Sequence, residues 1–355
     1  LEGKLVRILV TGGAGFIGSC FVRRTLERRD DQVVVLDALT YAGNLENLDG
    51  LAVDEQQRLR FMRGSICDAA AVSRAIENCD AVVNFAAETH VDRSIDDPAV
   101  FLATNIEGTR VLLDQAARKG VRYLQVSTDE VYGSLGKGGR FREDSPLRPS
   151  SPYAASKAAA DLLVGAYAAT FGADVVISRC GNNYGPRQFP EKLIPLFLSN
   201  AINDEPLPLY GDGENVRDWI HVCDHCDALR LILEEGDAGQ VYNVSAGCEM
   251  TNRKLVERLL DLVQKPWSLV KFVDDRPGHD RRYALDSSRL REQLGWSPSI
   301  GFEDGLAETV AWYRDNREWW KRVKSGEYVT YYRKLYGERL GGVAAPSRNK
   351  GRQGG

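Results

Sequence analysis

No apolar run in the 355 residues approaches the roughly 18 that a membrane-spanning helix needs. Cysteine lacks the density of a disulfide scaffold. The seven cysteines, at 20, 67, 79, 180, 223, 226 and 248, are an odd number spread over a long chain, which suits a reducing compartment. Basic charge is not in excess either: 46 Lys and Arg face 50 Asp and Glu, a formal net charge of -4, so nothing favours neutralising a nucleic-acid backbone. The first apolar stretch, Leu5 to Val10, is too short for a signal-peptide core and runs straight into glycines. These absences predict a globular cytoplasmic protein with neither nucleic acid nor membrane among its partners. With 43% hydrophobic residues the chain can bury a substantial core, in one large or two closely joined domains.

From residue 4 to about 180, short β-branched runs alternate with helix-length segments. The strand candidates are KLVRILV, VVVLD, LRFM, AVVNF, RYLQVS and DVVISR. Helical patterns lie between them at about 16–28, 69–78, 99–119 and 152–171. The alternation predicts an α/β fold, a doubly wound parallel sheet with helices on both faces. After Cys180 the texture changes to NNYGPRQFPEKLIP, followed by a helix near 191–201, and a second region begins. The segment 219–246 reads as helix then strand, a return to the sheet, and helices are expected near 251–264 and 302–323. The expected organisation is therefore a nucleotide-binding domain over 1–180 with 214–246 rejoining it. A smaller substrate lobe would comprise 181–213 and 247–340, and 341–355 would be a disordered, basic tail. The alanine-rich segment 152–171 suits close packing, at a subunit interface or inside the molecule.

TGGAGFIG, residues 11–18, follows the first strand and opens the first helix, the context of a dinucleotide fingerprint. Two registers are open, Gly13-x-Gly15-x-x-Gly18 and Gly12-x-x-Gly15-x-x-Gly18. In both, glycines let the backbone turn tightly against a pyrophosphate at the positive end of the helix. Asp37 ends the second strand 19 residues after Gly18, where an acid accepts hydrogen bonds from a ribose and repels a 2'-phosphate. NAD is thus favoured over NADP, and arginines 23, 24, 28 and 29 are read as a solvated helix face.

Tyr153 and Lys157 form Y-x-x-x-K on one helix face, where an ammonium beside a phenol favours phenolate. The phenolate can take a proton from a hydroxyl while the adjacent carbon loses hydride to NAD. In STDEVYG, residues 127–133, Asp129 and Glu130 stand side by side at the end of a strand. An elimination needs one acid and one base at the same pH, and neighbouring carboxylates supply both because each disfavours ionisation of the other. Successive side chains of a strand point to opposite faces, so both acids reach one substrate only if the chain leaves β geometry at about Thr128. The plain alternative is an acidic helix N-terminus.

Through TGGAGFIG, Asp37, AAETHVDRS (86–94), STDEVYG and YAASK (153–157) the chain resembles the extended short-chain dehydrogenase/reductases. Through STDEVYG with NNYGP, FPEKLIP, RDWIHV and DDRPGHD it is similar, over roughly residues 5–340, to the nucleoside-diphosphate-glucose 4,6-dehydratases. The resemblance implies a Rossmann-type fold with a smaller substrate-binding lobe, NAD as a recycled cofactor, a homodimer, and a nucleotide-activated glucose as substrate. It points to dTDP-glucose, with thymine and uracil left open by the residues themselves.

Five catalytic roles follow from the resemblance. Tyr153, assisted by Lys157, removes the proton of the sugar 4-hydroxyl, Glu130 removes the proton on carbon 5, Asp129 protonates the departing 6-hydroxyl, and Thr128 hydrogen-bonds oxygen 4. Cofactor contacts are implied for Gly12, Gly15, Phe16, Ile17 and Gly18, for Asp37, Ala38, Leu39 and Thr40, for Ser65, Ile66, Ala86 and Ala87, and for Thr104, Ser127, Tyr153, Lys157 and Asn183. The sugar nucleotide is implied among His90, Thr128, Asn182, Glu191, Lys192 and Leu193, with Pro208, Tyr210, Arg217, Asn252, Arg276, His279 and Tyr336. Arg217 and Arg276 suit a diphosphate, which planar guanidinium donors bind in pairs. Ser65 departs from the family, which usually carries an aspartate there against the adenine amino group. Cys223-x-x-Cys226 within HVCDHC lacks a second ligand pair and is read as packing, so no metal is expected. A UDP-sugar 4-epimerase or decarboxylase of the same fold would share the glycine loop and YxxxK but generally lacks the acid pair. A non-catalytic NAD-binding regulator would not need the intact set from Thr128 to Lys157.

Overall fold

The computed structural model describes residues 6–28, 30–325, 327–337 and 339–340; the tail expected at 341–355 lies outside them. Six strands carry the first half of the chain: β1 (Arg7–Thr11), β2 (Gln32–Asp37), β3 (Leu59–Arg63), β4 (Ala81–Asn84), β5 (Arg122–Thr128) and β6 (Val175–Cys180). Then come β7 (Asn182–Tyr184), β8 (Leu207–Tyr210), β9 (Val216–His221), β10 (Val241–Val244), β11 (Cys248–Thr251) and β12 (Val270–Val273). The large sheet is parallel throughout, in the order β10-β6-β5-β4-β1-β2-β3. The strand order reverses between β1 and β4, and a crevice opens there beyond the carboxyl ends of the strands.

Side-chain alternation explains why helices cover both faces. Ile8, Val10, Val33, Val35, Val83 and Leu124 point into one apolar layer, beneath the helices Phe16–Arg28 and Val222–Glu235. Leu9, Val34, Leu36, Val82 and Tyr123 point into the other, beneath Ala69–Ala75 and Thr109–Lys119. Of the arginines expected on a solvated face, Arg28 is exposed and Arg29 lies outside the described residues, but Arg24 is largely covered; Arg24 and Arg28 both pair with Asp227 and tie the first two of these helices together.

The expected helix at 99–119 is interrupted. It begins as Pro98–Phe101, widens into a π-helical stretch at Leu102–Gly108, and resumes as Thr109–Lys119. Tertiary contacts account for the widening: Asn105 is buried, accepts from the Glu88 amide, and donates to the Glu88 carbonyl and to Ser156. At Gly108 a Cβ would overlap the side chain of Ile66.

The second lobe holds a three-stranded sheet, β11-β9-β7, a two-stranded one, β12-β8, and a separate apolar core. Helices Leu193–Ile202, Asn252–Val263, Phe302–Asp315, Arg317–Val323 and Glu327–Tyr336 surround that core. Since β9 belongs to the small sheet, the chain rejoins the large one with the helix at Val222, not from residue 214.

Candidate active site

The carboxyl ends of β1, β2, β4, β5 and β6 and the facing surface of the second lobe enclose one cavity of about 470 Å³. Gly12, Gly15 and Gly18 line it, whereas Gly13 packs beneath Val35, which decides between the two registers of the glycine loop. Gly12 has φ +69°, and a Cβ there would lie 2.7 Å from the Ala86 amide nitrogen. A Cβ on Gly18 would overlap the Gly12 carbonyl oxygen. The loop therefore holds the start of the first helix against the cavity, with Phe16 and Ile17 at the positive end of its dipole.

Asp37 is buried at the end of β2. Its Oδ2 accepts from the Ala14 amide at 2.9 Å and its Oδ1 from the Leu39 amide at 2.8 Å, clamping the loop after β2 to the glycine loop. Burial pushes its pKa up, against those two hydrogen bonds. Ala38, Thr40, Ser65, Ile66, Ala86, Ala87, Thr104 and Ser127 are on the cavity wall, but Leu39 is not. With φ +53° it turns its amide to Asp37 and contributes backbone alone. The Ser65 hydroxyl accepts from the Cys67 amide at 3.1 Å, so this short side chain serves its own turn.

β5 ends at Thr128, and Asp129–Tyr132 forms a 3-10 turn, so the chain leaves β geometry where two acids sharing one pocket require it. The Thr128 hydroxyl accepts from the Glu130 amide at 3.3 Å and donates to Asp129 Oδ1 at 3.2 Å. Both acids line the cavity. Their surroundings differ. Burial, then the charges of Glu130 and Asp218, push the Asp129 pKa well above the usual carboxylate range. Burial also raises Glu130, but Arg276, Lys192 and Arg217 oppose it. Mutual repulsion was the expected cause of unequal protonation; burial is the larger one, and Arg276 and Lys192, which oppose it at Glu130, add to the difference, whereas Arg217 acts on both acids.

The helix Pro152–Phe171 starts with the Ser151 hydroxyl accepting from the Ala154 amide and Pro152 in its first turn. Tyr153 and Lys157 both face the cavity. The expected lowering of the Tyr153 pKa by Lys157 is not met. Burial and the Glu130 charge hold the phenol well above its usual range, while the Lys157 ammonium donates to the Val126 carbonyl at 2.8 Å. Asn183, beside them, accepts through Oδ1 from His225 at 2.9 Å and donates to the Gly181 carbonyl. Burial pushes His225 down to about 3, keeping that ring neutral.

In the other half of the cavity stand His90, Asn182, Glu191, Lys192, Leu193, Pro208, Tyr210, Arg217, Asn252, Arg276, His279 and Tyr336, all on its wall. Lys192 donates to the Thr89 carbonyl at 2.9 Å. Arg217 lies 4.4 Å over the Tyr283 ring and donates to the Val216 and Asp280 carbonyls. Buried carboxylate Glu191 pairs with Arg93 at 3.4 Å. Burial, then the charges of Lys192 and Arg93, keep His90 well below its usual pKa, and burial pushes His279 down to about 4. Tyr210, His279 and Tyr336 close the far end with their rings. Asn182 Oδ1, Asn252 Oδ1, Arg276 Nη1 and Asp129 Oδ2 are buried without a hydrogen-bond partner among the described residues. Unmatched buried polar atoms are costly, so their convergence marks a site for a polar ligand.

Sequence reasoning missed Tyr283, Glu88 and Cys180, which also line the cavity. Tyr283 donates to Asp280 at 2.6 Å, and only the spacing Asp280-x-x-Tyr283 beside Arg276 hinted at it. HVCDHC opens the helix Val222–Glu235, and its two cysteines face the helix Phe16–Arg28. Cys223 Sγ is 3.8 Å from Cys20 Sγ, and Cys226 donates to the Ile17 carbonyl.

Residues 9–309 match the GDP-mannose 4,6 dehydratase family. A dTDP-glucose 4,6-dehydratase of Streptomyces niveus is 53% identical over 331 residues, 92% of this chain and 98% of the relative. The dTDP-glucose 4,6-dehydratase of Streptomyces venezuelae, crystallised with NAD and TDP, superposes with a TM-score of 0.87 at 54% identity, over 90% of this chain and 100% of that one. The NAD complex of the Thermus thermophilus UDP-glucose 4-epimerase reaches a TM-score of 0.81 at 34% identity, over 87% and 99%. With its parallel seven-stranded Rossmann-type sheet, the chain belongs to the GDP-mannose 4,6 dehydratase family and, within it, to the dTDP-glucose 4,6-dehydratases.

Proposed function

We propose that this protein is a hydro-lyase that converts dTDP-glucose to its 4-keto-6-deoxy derivative, a step of deoxysugar biosynthesis, with NAD regenerated in each turnover. One observation carries this reading: at the turn that ends β5 two adjacent buried acids line the cavity that also receives Tyr153, with burial and like charge pushing the Asp129 pKa well up and Arg276, Lys192 and Arg217 opposing the rise at Glu130.

The cradle of Gly12, Gly15 and Gly18, the acid at Asp37 and the neutral wall of Ala86 and Ala87 fit NAD, because a Cβ at Gly12 or Gly18 would close the approach to the helix terminus. Bound there, NAD supplies a hydride acceptor for sugar carbon 4 and later a hydride donor for carbon 6. Tyr153 takes the proton of the 4-hydroxyl, and the Lys157 ammonium supports the negative charge of the phenolate. Once carbon 4 is a ketone the proton on carbon 5 is acidic, and Glu130 removes it. Asp129 gives its proton to the 6-hydroxyl, which leaves as water, and Glu130, its proton exchanged with solvent, returns one to carbon 5 when carbon 6 receives hydride. Thr128, already bonded to Asp129, stands at oxygen 4 and fixes the turn that presents both acids. Arg217, Arg276 and Lys192 bind the diphosphate, with Tyr210, His279 and Tyr336 toward the nucleoside.

The same fold also serves 4-epimerases, for which the acid pair has no use. Incubation with dTDP-glucose or UDP-glucose in deuterated water separates the readings by mass spectrometry. Loss of one water with one solvent deuterium on carbon 5 is expected from dTDP-glucose, and product of unchanged mass would overturn the proposal. Failure of both donors would favour a non-catalytic NAD-binding regulator.

Exposed Leu162 and Phe171 on the helix Pro152–Phe171, with Val100 and Leu102 nearby in the chain's other central helix, support a homodimer through these helices. The seven unbridged cysteines support a cytoplasmic location. Among the described residues no helix is long and apolar enough to cross a membrane.

A further inference from the structure

One turn after Lys157, on the same helix face, Asp161 is buried off the cavity wall, its side chain 1% exposed. Its Oδ2 accepts from Arg179 Nε at 2.8 Å, and the Arg179 side chain is 6% exposed. Arg179 Nη1 donates onward to the Tyr132 hydroxyl at 2.9 Å, and Tyr132 closes the turn that starts with Asp129 and Glu130. The Ser127 hydroxyl, next to Thr128, faces the same Asp161 carboxylate. Two charges thus link the helix bearing Tyr153 and Lys157 to the turn bearing the acids, and the chemistry above uses neither.

An ammonium in a dry site needs a counter-charge. On its own helix Lys157 is faced by Tyr153 and Asp161, from β6 by the Cys180 thiol, and from β5 by the Val126 carbonyl. Burial pushes the Cys180 thiol up to about 12 and the resting Tyr153 phenol well above its usual range, so the phenolate that takes the substrate proton needs the Lys157 ammonium beside it. Burial alone drives Lys157 toward the neutral amine, and the Asp161 carboxylate is the first influence opposing it.

Resting on the dehydratase reading, we propose that Asp161 is a positioning residue of the oxidation half-reaction: its carboxylate keeps Lys157 charged beside Tyr153, and Arg179 fixes that carboxylate while anchoring the turn of the two acids.

The test is the pH dependence of NADH formation from dTDP-glucose, followed by absorbance in NAD-loaded Glu130→Gln enzyme, which is expected to oxidise the sugar without eliminating. Adding Asp161→Asn moves the alkaline limb of the rate profile to lower pH by about one unit or more, and Asp161→Glu restores it. Because Asp161→Asn leaves Arg179 unpaired and threatens folding, Asp161→Asn/Arg179→Gln removes both charges; it shifts the limb in the same direction by less. A purely structural Asp161 would lower the yield of folded protein and leave the limb in place. Profiles of the folded variants that superpose on the Glu130→Gln parent overturn the proposal. A Glu130→Gln parent that forms no NADH contradicts the division of roles and overturns this inference, whereas unsubstituted enzyme that releases no water from dTDP-glucose overturns the dehydratase reading itself.

Discussion

The two halves of the cavity are built from different materials. The cofactor half is glycine, alanine and backbone amides: Gly12, Gly15 and Gly18, the Ala86–Ala87 wall, and Asp37 with both oxygens already accepting amides. The substrate half is made of long charged and polar side chains from several elements, with buried atoms of Asn182, Asn252 and Arg276 left unmatched among the described residues. The first half is a shape that excludes side chains, finished when the chain folds. The second is a set of unmet hydrogen bonds and opposed charges, stabilised only when a polar ligand arrives.

Four substitutions probe that contrast. Glu130→Gln, in the charged half, is expected to lower product release by roughly 10²–10⁴-fold while NADH still forms in a single turnover; absence of NADH would contradict the division of roles. Gly18→Ala, in the shape-built half, pushes a methyl onto the Gly12 carbonyl. It should destabilise the fold by about 1–3 kcal/mol and weaken NAD binding, read by thermal melting and titration calorimetry; a variant that binds NAD as the parent does would show that the loop relaxes freely.

Asp129→Asn should slow elimination yet raise the melting temperature. The sign follows from linkage: an acid whose folded pKa lies above its unfolded value contributes stability below the unfolded pKa and loses it as pH rises through the folded one. At neutral pH the parent therefore carries a penalty of about 1.4 kcal/mol per unit of upward shift, which the amide escapes. The melting difference between the two should shrink as pH falls toward the ordinary carboxylate range, and a difference independent of pH would assign it to packing. Ser65→Ala should change stability by less than about 0.5 kcal/mol, because the hydroxyl serves an exposed amide of its own turn. A large loss of NAD affinity in that variant would make Ser65 a true adenine contact.

Much of this was legible in the residues. The β-branched runs of β1 to β6 and the helical patterns of Phe16–Arg28 and Pro152–Phe171 are local patterns, and the elements formed close to where those patterns lie. The π-helical stretch at Leu102–Gly108 was not legible, because Asn105 and Gly108 answer to Glu88, Ser156 and Ile66, which pack against them from elsewhere in the chain. The register of the glycine loop was ambiguous for the same reason: Gly12 and Gly13 are equivalent as letters, and only Ala86 on one side and Val35 on the other distinguish them. Tyr283 escaped notice because its role depends on Arg217 lying over its ring.

By itself the amino-acid sequence determined the alternation of strands and helices, the glycine turn before a helix dipole, and the adjacency of two acids to the end of a strand. Those properties depend on neighbours within a few positions, where backbone geometry and side-chain period act. Only the tertiary structure decided which acid has its pKa pushed furthest up and which faces Arg276 and Lys192, and that Asp161, one turn beyond Lys157, is buried against Arg179. Desolvation and Coulomb interaction depend on distance and burial in space, and neither exists until strands and helices far apart in the chain have packed together.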